Sequence, residues 1–112
     1  MATTLDYAAY VTAQVADCGI ARFRKMFGEY MVYVNDKPIL LICDNSVYVK
    51  ILPCLDGLMN DAERGVPYNG AKEHYILDID NKELSRSVVL ALEAVTPIPK
   101  ELFNNNMNKS TR

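Results

Sequence analysis

Few residues in this chain of 112 could carry acid–base, nucleophilic or metal chemistry. His74 is the one histidine. No serine or cysteine stands at a spacing from it that marks a nucleophile–base pair, so a structural or surface role is expected. The three cysteines, Cys18, Cys43 and Cys54, are odd in number and form no Cys-x-x-Cys pair. That argues against a disulfide framework or a zinc site. Cys18 and Cys43 stand in apolar contexts and read as packing residues. Cys54 lies near an expected helix start, where a thiol pKa can fall, so a reactive reading stands beside its packing one. Asp78 and Asp80 are spaced as paired carboxylates that could do acid–base work or bind Mg²⁺. Asp80 is better explained as a helix cap. No GxGxxG, GxxxxGK[ST], HExxH or GxSxG motif occurs. The expectation is therefore no catalytic residue, no metal and no cofactor.

The densest mixture of charge, aromatic side chain and glycine is Arg24-Lys25-Met26-Phe27-Gly28-Glu29-Tyr30. With Arg22 it places three cations in four residues, Arg22, Arg24 and Lys25. A solvated strand face is the simplest reading. A basic, aromatic strand could also stack nucleic-acid bases. Against that, the net charge is −2 and neither half of the chain is a polycation. Direct nucleic-acid binding through this patch is thus the weaker alternative. A small-molecule site using the Pro67–His74 loop and Cys54 is another.

These residues must be positioned by one domain. Half of the residues are apolar and 23% are charged, as in an ordinary soluble fold. No apolar run approaches the ~20 residues of a membrane helix. Met1–Asp6 lacks the basic and apolar regions of a secretory signal, so a cytoplasmic protein with reduced cysteines is expected. Leu5, Ala8, Val11, Val15 and Cys18 make a helical stripe over about residues 4–18, with Thr3 as cap and Gly19 at its end. Strand signals follow around 20–27, 29–34, 39–43 and 47–51. Asn35-Asp36-Lys37 and Asp44-Asn45 are turns between them, and Gly28 supplies a tight turn or bulge. Pro53 opens a short helix over about 53–63. Residues 64–72 form a loop, His74–Ile79 a strand, and a last helix carries Leu84, Val88, Ala91, Leu92 and Val95. The order α-β-β-β-β-α-β-α means an α+β fold, a two-layer antiparallel sheet with helices packed on it. Residues 1–103 form the domain and 104–112 a polar tail. Tyr30, Tyr33, Tyr48 and Tyr75 make the second sheet face a candidate surface for a partner or a second copy. Open strand edges give the same expectation of a homodimer.

At two segments the sequence resembles the N-terminal domain of the TfoX/Sxy family. In residues 23–51, FRKMFGEYMVYVNDKPILLICDNSVYVKI, the matching positions are Arg24, Met26, Phe27, Gly28 and Tyr30, then Asp44, Asn45, Tyr48 and Lys50. In residues 67–81, PYNGAKEHYILDIDN, they are Pro67, Tyr68, Gly70, Ala71 and Lys72. The resemblance spans about residues 5–100. It implies a fold like that of secretion-chaperone-type domains, in a cytoplasmic bacterial protein. Members of that family are positive regulators of DNA-uptake competence that act with the cyclic-AMP receptor protein and are not known as enzymes. The implied role is a non-enzymatic regulatory or protein-interaction domain. Its partner would be a protein, such as a transcription regulator, and the motif positions above, other than Asp44, Asn45 and Ala71, are its candidate binding residues.

Overall fold

The computed structural model describes residues 3–26 and 28–99. Helix α1 (Leu5–Gln14) leads through a 3-10 turn at Ala16–Cys18 into strands β1 (Ala21–Met26), β2 (Glu29–Val34), β3 (Lys37–Cys43) and β4 (Ser46–Lys50). After a 3-10 turn at Pro53–Leu55 come β5 (Arg64–Gly65), β6 (His74–Leu77) and helix α2 (Lys82–Val95). The strands form one antiparallel sheet in the order β1-β2-β3-β4-β6-β5. The α+β architecture expected from the order of elements is the one found.

The meander follows from its turns. Two-residue hairpins need left-handed backbone at both turn positions to match the strand twist, and Asn and Asp tolerate it best after glycine. Asn35 and Asp36 have φ of 53° and 67°, and Asp44 and Asn45 have 53° and 56°. Each pair closes a hairpin, Val34 opposite Lys37 and Cys43 opposite Ser46. Gly28, with φ of 84°, turns β1 into β2.

Two caps differ by one residue from expectation. Thr4, not Thr3, accepts the Tyr7 amide and starts α1, and Asn81, not Asp80, accepts the Leu84 amide and starts α2. Thr3 is instead buried, where its hydroxyl donates to Glu29 Oε1 at 2.6 Å. The same carboxylate oxygen accepts the amides of Thr3 and Asp44, each at 3.2 Å. Asn45 N donates to Thr3 Oγ1, and Thr4 N donates to Asn45 Oδ1, both at 3.1 Å. This clasp ties the start of α1 to the start of β2 and the β3–β4 turn.

The helix expected over 53–63 exists only as the 3-10 turn at its start. Asp56 is extended and Gly57 has φ of 88°, which stops a helix after its first turn. Leu55 and Met59 from this segment are nonetheless buried. The 64–72 loop contributes one unexpected element, the two-residue β5 that pairs with β6.

Both helices pack on one face of the sheet. Ala8, Val11 and Val15 of the α1 segment and Val88, Val89 and Leu92 of α2 meet Val32, Leu40, Ile42, Val47, Val49 and Leu77 there. Burying each of the Val, Leu and Ile side chains is worth roughly 1.5–3 kcal/mol relative to leaving it exposed. The α2 stripe is rotated from the expected one. Ser85, Val88, Val89 and Leu92 face inward, whereas Val95 is exposed. At the other end, Tyr10 donates its hydroxyl to Asp80 Oδ1 at 2.5 Å, and Gln14 Nε2 donates to the Ile79 carbonyl at 3.0 Å. The expected tail 104–112 lies outside the described residues.

Candidate functional site

Among the described residues no helix covers the opposite face of the sheet, and strand pairing fixes what stands on it. Facing residues in an antiparallel pair share a side. Arg22 pairs with Tyr33, Arg24 with Met31, Met31 with Leu41, Leu41 with Tyr48, and Tyr48 with Ile76. Lys50 and His74 continue the row. The four tyrosines divide between the faces. Tyr30 and Tyr75 are buried in the helix-side core, Tyr30 in edge-to-face contact with Phe23 at 5.6 Å. Tyr33 and Tyr48 stand on the uncovered side.

The basic patch divides as well. Arg22 lies over the Tyr33 ring at 4.5 Å and pairs with Asp36 at 3.5 Å. Lys25 is opposite Tyr30 and so belongs to the helix side, away from Arg22 and Arg24. The three cations therefore do not form one surface.

Tyr68 joins the two motif segments. It is 60% exposed, yet it borders three adjoining hollows on the uncovered face. One, of about 400 Å³, is lined by Met26, Glu29, Met31, Leu41 and Cys43. A second, of about 470 Å³, is lined by Lys50, Ile51, Lys72, Glu73 and His74. Between them lies a notch of about 170 Å³.

The notch has a backbone cause. Pairing of β3 with β4 stops at Leu41 opposite Tyr48, so Pro38–Leu40 and Val49–Lys50 are not partnered with each other. Pro38 has no amide to donate, and the register of β2 with β3 shifts beside it, between Val32 and Tyr33. The opening is lined by Pro38, Ile39, Met31 and Tyr48, with Leu92 and Thr96 of the α2 segment behind.

Of the motif positions, Met26, Tyr48, Lys50, Tyr68 and Lys72 line this groove, and Arg24 stands on the same face opposite Met31. Tyr30 does not, because it is part of the core. Gly28 and Gly70 serve turns, with φ of 84° and 91°, and Pro67 is half-buried beside Tyr68. Phe27 lies outside the described residues. Met31 and Leu41 are groove residues that sequence reasoning missed, and His74, the end of the Pro67–His74 loop offered as a small-molecule site, lines it too. The strand alternation carried the signal for Met31 and Leu41.

The reactive groups are occupied structurally. The His74 ring Nδ1 is 2.8 Å from the Lys72 carbonyl, and the ring meets Tyr48 edge-on. Asp80 is held by Tyr10, and Asp78 accepts the Asp80 amide at 3.3 Å. Burial pushes the Cys43 thiol up to about 11, helped by the negative charges of Glu29 and Asp44. Burial likewise raises Cys18. Cys54 is half-buried against the core. Among the described residues no three His, Cys, Asp or Glu side chains gather as metal ligands, and no helix is long and apolar enough to cross a membrane.

Another hollow, of about 630 Å³, lies elsewhere, between the 57–63 turns, β6 and the start of α2. Its charged lining is Asp61, Glu63 and Asp78, with no nucleophile and no cation to balance them. The groove under Tyr68 is therefore the better candidate, because it combines apolar floor and cationic rim.

No protein-family model matches the chain. It is 34% identical over 102 residues, 89% of each chain, to an uncharacterized 12.7 kDa protein in the trpE 5′ region of Spirochaeta aurantia. That degree of likeness over nearly the full length of both places the chain in the same family as the spirochaete protein.

Proposed function

We propose that the chain is a cytoplasmic, non-enzymatic protein-interaction domain with a regulatory role, and that the uncovered sheet face is its working surface. One observation carries the reading. Motif residues from two segments far apart in sequence, Met26, Tyr48 and Lys50 from one and Tyr68 and Lys72 from the other, converge on a single groove. A core needs no such convergence of half-exposed residues, whereas a binding face does. The resemblance to the TfoX/Sxy N-terminal domain gives the process, transcriptional control of DNA uptake, and a transcription regulator as the partner.

The test is affinity capture from the native cell with the wild type and with Tyr68→Ala, alongside transcript levels of DNA-uptake genes in a deletion strain. The reading expects a partner recovered by the wild type and lost with Tyr68→Ala, and reduced transcripts in the deletion. No specific partner, or the same partners with both proteins, would overturn the assignment of the surface. Unchanged transcripts would overturn the assignment of the process.

A further inference from the structure

We infer that the groove takes an acidic segment of another protein, seated by one large apolar side chain in the notch between Pro38, Met31, Leu41 and Tyr48. The inference rests on the reading of this face as an interaction surface and adds the chemistry of its occupant. The notch fixes the anchor. Its volume is about 170 Å³ and its lining is mainly apolar, with Met31, Pro38, Ile39, Leu41 and Leu92. An apolar cavity of ~150 Å³ holds a benzene-sized ring, so the notch accepts one aromatic or branched aliphatic side chain.

The rim fixes the flanks. Arg24, Lys50 and Lys72 are exposed and make no ion pair among the described residues. Two carboxylates lie nearby. Glu29 accepts three hydrogen bonds from Thr3 and Asp44, and Glu73 pairs with Arg64 at 3.6 Å. The donors to Glu29 are neutral and leave its charge uncancelled, whereas Glu73 is offset by Arg64, so three cations face one uncancelled carboxylate. This excess of positive charge around an apolar notch selects negative charge flanking the anchor and repels positive charge. The same argument disfavours a second copy docking face to face, since a two-fold axis would set these cations against their own images.

The test is selection from a displayed random peptide library on the immobilised full chain. The selected peptides are then titrated against the wild type, Lys50→Glu/Lys72→Glu and Tyr68→Ala, each checked for folding by circular dichroism. The inference expects peptides with an aromatic or aliphatic residue flanked by Asp or Glu. Binding should weaken with rising salt, and by about tenfold or more in the charge-reversal variant. Selected peptides without acidic bias, bound in a Tyr68-dependent way, would overturn the inference and leave the interaction surface standing. Peptides unaffected by either variant, or none selected, would overturn both. Self-association in sedimentation that Lys50→Glu/Lys72→Glu abolishes would make the occupant a second copy and overturn the inference.

Discussion

Replacing Gly19 by alanine should be among the most damaging small changes in the protein, for reasons that geometry supplies. Gly19 joins the α1 segment to β1 with φ of 152° and ψ of −162°, a region that residues with a side chain scarcely populate. Forcing alanine there costs roughly 1–3 kcal/mol. The added Cβ would also lie 2.7 to 2.9 Å from the Asn35 side-chain amide. That amide cannot simply retreat. Its Oδ1 accepts the Ile20 amide at 3.0 Å and its Nδ2 donates to Glu93 at 3.2 Å. Losing both bonds adds about 1–2 kcal/mol. The sum is about 2–5 kcal/mol, a fall in Tm of roughly 10 °C or more for a domain of this size. Gly28→Ala is the control, because Gly28 also has positive φ but open space around its Cβ position. It should cost only about 1–2 kcal/mol. Urea and thermal unfolding of both variants decide the matter. Removing the obstruction as well, in Gly19→Ala/Asn35→Ala, should cost less than the two single changes together. Equal stability of Gly19→Ala and Gly28→Ala would mean that the contact with Asn35 costs nothing.

The Glu29 clasp gives a second test. Glu29→Ala strands the Thr3 hydroxyl and the Asp44 amide and should cost about 2 kcal/mol in urea unfolding, with Thr3→Val non-additive because the two share a bond. Glu93 gives a pH dependence. Hydrogen bonds from Asn35 and Lys37 hold its carboxyl below the usual range. A depressed folded pKa stabilises above the unfolded pKa, so the advantage of wild type over Glu93→Gln should be full at neutral pH and vanish as pH falls through the carboxylate range. Cys43, with its thiol pushed up to about 11, should react slowly with a disulfide reagent near neutral pH and faster as pH approaches that value.

Much of the fold was legible because short-range chemistry decides it. Asn35-Asp36 and Asp44-Asn45 specify tight hairpins through their tolerance of left-handed backbone, and those turns set the register of the meander. The helix over 53–63 misled because Leu55 and Met59 do face the core, as a helical stripe would, while Gly57 and extended Asp56 break the backbone that would carry it. The caps of both helices slipped by one residue because neighbouring Thr3 and Thr4, and Asp80 and Asn81, are each competent acceptors. Tertiary partners took one of each pair, Glu29 claiming Thr3 and Tyr10 claiming Asp80. The site was half visible. The motif positions marked Tyr48, Lys50, Tyr68 and Lys72, but which tyrosines turn to the core depends on register across four strands. The notch arises where two strands part company. Pro38 marks the second locally, but no local pattern encodes the first.

The proposed working surface is the uncovered sheet face, bound by a protein partner. Amide chemical-shift mapping of the full chain titrated with its captured partner, or with a selected peptide, reads that surface residue by residue. Shifts should concentrate at Met31, Leu41, Tyr48, Lys50, Tyr68, Lys72 and His74. Shifts confined to the exposed surfaces of α1 and α2, with the groove residues unmoved, would contradict that assignment.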